Sequence, residues 1–221
     1  DETSFDRDNP WTLLVQAVDQ MLPEVAQLRE LVAFLPQWRL DDVMVSYAED
    51  GGSVGPHYDN YDVFLLQGMG QRRWQLGQQC GPDEPLLQHQ HLRILETFHC
   101  SQEYVLQCGD MLYLPPRVAH WGVAIGECMT YSIGLRAPRI NDMTSRWLDS
   151  LLEQIDPQLF YRDPELSPAL RAGEIDGNSI AAALQQVLAS VQGGGANTHW
   201  FGELVTEPRY GAPDHCVPLQ W

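Results

Sequence analysis

The sequence predicts a mainly β fold, a sandwich or jelly-roll core with helices before and after it. Three observations predict it. Between about residues 41 and 137, short runs rich in Val, Ile, Tyr, Phe and Trp recur, split by Gly and Pro. On either side of that stretch, apolar residues recur at helical spacing instead. A chain of 221 residues, 44% hydrophobic with seven Trp and eight Tyr, is long enough to bury one substantial core.

Residues 9–35 read as helical. Asn9 followed by Pro10 is an N-cap and first-turn pair, and Leu13, Leu14, Ala17, Val18 and Met21 come next at helical spacing. A second helix over Glu24–Leu35 presents Val25, Leu28, Leu31, Val32 and Leu35, and Pro36 ends it. The strand candidates are Asp42–Ala48, Tyr61–Gln67, Gln71–Leu76, Arg93–Thr97, Tyr104–Gln107, Asp110–Leu114, His120–Ala124 and Met129–Leu135. The segment QGMGQ at 67–71 predicts a tight hairpin, and residues 77–90 an exposed loop. Beyond Pro138, Asn141 is placed to cap a helix running to Ile155. A Pro-rich connector over Asp156–Pro168 leads to helices at Ser179–Val191 and Thr198–Val205, and Pro208–Trp221 reads as a Pro-rich tail. The expected organisation is N-terminal helices over 1–40, a β core over 41–138, a helical region over 139–207 and a tail over 208–221.

The formal net charge is −17, with 13 Arg and no Lys. So acidic a body repels free nucleic acid and attracts basic polypeptides. No apolar run reaches the roughly 18 residues that span a bilayer, and no secretory leader is read. The five Cys (80, 100, 108, 128, 216) are odd in number and scattered, which fits reduced thiols in the cytoplasm rather than a disulfide framework.

The residues with the clearest chemistry are His57, Asp59 and His120, in GPHYDNYD and YLPPRVAHWG. On a strand, residues i and i+2 share a face, so His57 and Asp59 can reach one ion. His120 supplies a distant third ligand. Two imidazoles and one carboxylate on one side of an ion leave the remaining positions open, the facial triad of non-heme Fe(II) oxygenases. A structural zinc site would instead be closed by four ligands and rich in Cys. If a keto acid such as 2-oxoglutarate fills two open positions, its far carboxylate needs a cation. Without Lys, that cation is Arg72 or Arg73. Across a hairpin centred on Gly68–Gly70, Arg72 shares a face with Phe64, Leu66, Trp74 and Leu76, so parity favours Arg72. Tyr131 or Ser132 can add a hydroxyl.

Taken together, GGSVGPHYDNYDVFLLQGMGQRRWQLG, GDMLYLPPRVAHWG and YSIGLRAP resemble the bacterial ribosomal oxygenases, which are JmjC-type 2-oxoglutarate-dependent enzymes of the cupin superfamily. NPWTLLVQAVDQ and LPQWRLDDVMVSYA extend the resemblance upstream. It implies a double-stranded β-helix core followed by a helical dimerisation region, and hence a homodimer. It implies Fe(II) on His57, Asp59 and His120, 2-oxoglutarate anchored by Arg72 with help from Ser132, and molecular oxygen as the second co-substrate. The implied substrate is an arginine of large-subunit ribosomal protein sixteen, hydroxylated on its β-carbon, with Asp50 in the loop Glu49–Ser53 offered to the guanidinium. Relatives with more chain before this start and a winged-helix domain after the helices imply that both parts are missing or shortened here. Three alternatives stay open. The chain can act on a histidine or on a methylated side chain of another basic protein. It can be a metal cupin that uses no keto acid, or an acidic barrel that only binds.

Overall fold

The structure is a computed structural model that describes residues 10–87, 93–162, 175–193 and 198–207. Asn9 with the rest of the first nine residues, Cys216 and the tail 208–221 lie outside the described residues, as does most of the latter part of the expected connector. The described residues fall into two compact units, one within residues 10–137 and one at Pro138–Glu207.

The first unit is an antiparallel sheet. Its strands are β1 (Thr12–Val15), β2 (Leu40–Ala48), β3 (Val63–Gln79), β4 (Gln102–Gln107), β5 (Met111–Leu114) and β6 (Val118–Leu135), in the order β1-β2-β6-β3-β4 with β5 also paired to β3. The long strands β3 and β6 run against each other from Val63 opposite Gly134 to Gln79 opposite Val118 and form the spine. Apolar residues pack on both sides of it. One cluster joins Val18, Val25, Val32, Leu40, Val43, Ile133 and Leu135, and another joins Val63, Leu65, Trp74, Leu106 and Leu114.

The N-terminal expectation is corrected. Residues 12–15 form β1, an edge strand whose Thr12–Val15 pair with Ala48–Val45 of β2, not the first turns of a helix. Pairing to an available strand outweighs local helical periodicity over so short a run. Ala17 then turns the chain with φ of 54°, and its N–H donates to Asp42 Oδ2 while Val43 N–H donates to Asp19 Oδ1. Beyond Ala17 the chain forms a 3-10 turn, a single turn of helix α1 (Pro23–Ala26) and a further 3-10 segment (Gln27–Val32) in place of one long second helix.

The hairpin expected at 67–71 is also absent. The chain continues straight through as β3, still paired to β6, with register shifts between Gln67 and Met69 and between Met69 and Gln71. The two glycines serve this irregularity. Gly70 has φ of +63°, and a Cβ there would collide with Glu127 O; one on Gly68 would collide with the Tyr131 ring. The buried side chain of Gln67 fastens the distortion, donating from Nε2 to Met69 O at 2.8 Å and accepting the Thr130 hydroxyl at 2.9 Å. Likewise, the two runs expected at 120–124 and 129–135 are one strand, β6, with Gly126 at φ +66°. The run 93–97 yields only a bridge between Leu86 and Leu95.

The second unit contains α2 (Ile140–Leu152), α3 (Gly177–Gly193) and α4 (His199–Thr206). Arg139, not Asn141, holds the N-cap position of α2. α2 packs on α4, with Leu151 and Val205 buried and Arg146 paired to Glu207 at 2.8 Å.

Candidate metal centre

His57 comes two residues after Gly55, which has a φ of +90° and lies so close to Ile94 that a Cβ would meet that side chain at 3.3 Å. It does not lie on a strand. It forms an isolated bridge to His120 at the start of β6, through His57 N–H to His120 O (3.0 Å) and His120 N–H to His57 O (2.8 Å). Asp59 lies just before the bend at Asn60 and Tyr61, and Arg117 N–H donates to its carbonyl at 2.7 Å. This corrects the i, i+2 strand geometry expected of the His-x-Asp pair, yet the side chains still converge. The two imidazole centroids are 4.3 Å apart, His120 Nε2 is 3.7 Å from Asp59 Oδ2, and one ligand atom from each of the three lies within 4.8 Å of the others.

Second contacts orient the rings. His57 Nδ1 lies 2.9 Å from Gly55 O, and His120 Nδ1 lies 2.9 Å from Val118 O. A carbonyl only accepts, so each Nδ1 carries the proton and each Nε2 keeps its lone pair for a metal. His120 is buried, and its pKa is pushed down to about 4, first by burial and then by the neighbouring His57, against the opposing pull of Asp59. The ring is therefore neutral at physiological pH. Two nitrogen donors and one carboxylate, with no sulfur, fit Fe(II) with open coordination positions.

A cavity of about 370 Å³ opens on this triad, lined also by Ser46, Arg72, Trp74 and Ser132. Arg72 is 5% exposed, whereas Arg73 is exposed. The Arg72 Nη1 donates to Ser46 Oγ at 3.2 Å and Nε to Cys128 Sγ at 3.4 Å, while Nη2 is buried with no partner among the described residues. The two groups that these donors reach are neutral. A buried guanidinium without a carboxylate is costly, and a diacid whose far end reaches it removes that cost.

Arg72 faces inward, but with neighbours other than those that parity across a hairpin gave it. Inward positions are Val63, Leu65 and Gln67 before the bulge and Arg72 and Trp74 after it. Phe64 and Leu66 face away, because the register shift exchanges odd for even positions. Ser132, opposite Leu65, is buried and lines the cavity; Tyr131, one residue earlier, lies on the other face against Gly68. Asp50 is not among the cavity-lining residues. Its Oδ1 accepts Gly126 N–H at 2.7 Å, which ties the turn after β2 to β6. Ser46 and Cys128 carry no local signal in the sequence, where one is a β2 hydroxyl and the other a scattered thiol.

An antiparallel β core that brings two imidazoles, a carboxylate and a buried guanidinium to one cavity defines a β-sheet protein built to hold a metal ion beside an anion. More narrowly, the chain belongs to the JmjC domain family, whose model matches residues 27–143. It is 44% identical over 158 residues to a probable ribosomal oxygenase of Haemophilus influenzae, covering 71% of this chain and 37% of that protein. It is 34% identical over 200 residues to the ribosomal protein uL16 3-hydroxylase of Escherichia coli, covering 90% of this chain and 53% of that one. Among solved structures, the Escherichia coli ribosomal oxygenase YcfD in complex with cobalt and 2-oxoglutarate superposes with a TM-score of 0.76 at 33% identity, over 90% of this chain and 52% of that chain. This chain therefore spans about a third to a half of the length of these relatives.

Proposed function

We propose that this chain carries the catalytic core of an Fe(II)- and 2-oxoglutarate-dependent oxygenase that hydroxylates the β-carbon of an arginine in large-subunit ribosomal protein sixteen, uL16. The observation that carries the reading is the buried Arg72, with Nη2 unpartnered, in the same cavity as His57, Asp59 and His120. A metal cupin without a keto acid has no use for that cation. Likeness to a uL16 3-hydroxylase and to a structure holding 2-oxoglutarate supports the substrate and co-substrate.

In this reading His57, Asp59 and His120 hold the iron, and Arg72 with Ser132 holds the far carboxylate of 2-oxoglutarate. When bound, iron and 2-oxoglutarate supply the oxidising chemistry: molecular oxygen is divided between succinate, formed with loss of carbon dioxide, and the substrate C–H. The chain's own work is placement. The carbonyls of Gly55 and Val118 set both imidazoles, Ser46 and Cys128 set the guanidinium, and the walls Val63, Leu65 and Trp74 keep water from the reacting atoms. The net charge of −17 favours approach of a basic ribosomal segment. Asp50, on the loop after β2, is the proposed contact for the substrate guanidinium. Exposed apolar residues on α2 and α3, among them Leu148, Leu152, Leu184 and Val187, support a homodimer through the helical unit. Free Cys80, Cys100, Cys108 and Cys128 support a reducing, cytoplasmic setting, and no helix among the described residues is long and apolar enough to cross a membrane.

The test is anaerobic visible absorption with Fe(II) and 2-oxoglutarate, then mass spectrometry of uL16 peptides incubated with oxygen. A charge-transfer band and a gain of one oxygen on arginine, coupled to succinate formation, are expected. Bound iron without a band removes the keto acid from the reading; oxygen gained on histidine or loss of a methyl group reassigns the substrate.

A further inference from the structure

The cavity holds a second unsatisfied donor. Trp74 is 5% exposed, borders the same cavity as Arg72, and its indole Nε1 is buried with no hydrogen-bond partner among the described residues. The packed neighbours of the ring are Val63, Leu65, Leu106 and Leu114, none of which offers a side-chain acceptor. Its six-membered edge is committed to the sheet: Trp74 stands opposite Gly122 of β6, where a Cβ would come within 2.7 Å of Cζ3 and Cη2. The polar space that the ring borders is the cavity.

Position along the strand gives this donor a meaning. Trp74 is the same-face residue between Arg72 and Leu76, and Leu76 stands opposite His120. The Arg72 guanidinium carbon lies 5.8 Å from the indole ring centre and the His120 ring 6.0 Å from it. The cavity that joins the three metal-binding side chains to Arg72 has Trp74 in its wall. One carboxylate has about four lone-pair sites, enough to accept from a guanidinium and an indole together.

We propose that Trp74 is a second donor to the anionic ligand of this cavity, its Nε1–H bonding the far carboxylate of the keto acid beside Arg72 Nη2. The proposal rests on the keto-acid reading above. It makes Trp74 a specificity-determining residue that favours diacids over keto acids with an apolar end, and not only a wall of the cavity.

The test is Trp74→Phe, which keeps an aromatic wall and removes the donor. Binding to the Mn(II)-loaded protein is measured by calorimetry with two probes: N-oxalylglycine, the unreactive amide analogue of 2-oxoglutarate, and oxalate, which chelates metal but is too short to reach Arg72. Loss of one hydrogen bond to a charged acceptor weakens N-oxalylglycine about tenfold, with oxalate unchanged. Unchanged N-oxalylglycine, or an equal loss for oxalate, overturns the proposal. In the Zn(II)-loaded wild type, the Trp74 indole N–H resonance is expected to move downfield with N-oxalylglycine and not with oxalate, a readout independent of the variant's folding; no movement also overturns it. Arg72→Ala separates the two readings. If it abolishes N-oxalylglycine binding while Trp74→Phe does not weaken it, only the role of Trp74 fails. If Arg72→Ala leaves binding intact, the keto-acid reading itself fails.

Discussion

His57 and His120 hold each other in place through a reciprocal pair of main-chain hydrogen bonds, 3.0 and 2.8 Å long. Neither bond uses an imidazole, so the scaffold of the metal centre does not depend on the ligands that it presents. His57→Ala is therefore expected to fold and to lose the metal response. With metal at about one hundred times its dissociation constant, the wild type gains about 2.7 kcal/mol, or roughly 5–10 °C in Tm, and the variant gains none. Thermal melts with and without Mn(II) check this; an undiminished shift would place the metal elsewhere.

Arg72 is expected to trade stability for binding. Replacing a buried guanidinium that has no carboxylate partner with Met removes a desolvated charge, so Arg72→Met leaves the unliganded protein as stable as the wild type or up to about 2 kcal/mol more stable. The same change should raise the 2-oxoglutarate requirement at least a hundredfold while the Fe(II) requirement moves little. Urea titration and steady-state kinetics on one preparation give both answers. A destabilised variant with an unchanged co-substrate requirement would make Arg72 a structural residue.

Gly70 joins a positive φ to a close approach by Glu127 O. Gly70→Ala is expected to cost about 2–4 kcal/mol, because the methyl group can be housed only by opening the β3–β6 pairing at the bulge. Hydrogen exchange should show the loss concentrated at Gln67–Arg72 and Cys128–Thr130.

Gln67 fastens the same bulge through Thr130 and Met69. Gln67→Leu strands the Thr130 hydroxyl in the core, at about 1–3 kcal/mol by denaturant titration. A loosened bulge also lets Arg72 leave the cavity, so weaker 2-oxoglutarate binding should accompany the loss. A stability change with binding intact would separate the bulge from the anchor.

The metal-free protein is expected to weaken in mild acid. The His120 pKa is about 4 in the folded chain, against an ordinary value of 6.5. As pH falls below 6.5 the unfolded chain takes up the proton first, so stability declines between pH 6.5 and about 4 and is unaffected by this group above 6.5. Urea midpoints across that range, compared with His120→Gln, isolate the contribution; equal slopes would show that the ring is not held neutral.

The sequence by itself singled out the candidate metal ligands of this protein. His57, Asp59 and His120 stand in short motifs whose flanking Gly and Pro shape the backbone, and absence of Lys left Arg as the cation for a keto acid. Helices α2, α3 and α4 were legible within a few residues, because helical periodicity is a local signal. Only the tertiary structure decided which residues share a wall. Gln67–Gln71 has the composition of a hairpin, yet β6 offers a partner along the whole run, so the glycines relieve a bulge rather than close a turn. The shifts at the bulge exchange the faces of the residues that follow it, placing Arg72 and Trp74 with Val63 and Leu65 rather than with Phe64 and Leu66. Residues 12–15 became a strand for the same reason: their backbone donors and acceptors meet those of β2, far away in sequence. Ser46 and Cys128 reach the Arg72 guanidinium only once β2, β3 and β6 are side by side, and no local pattern can announce a contact made by that pairing.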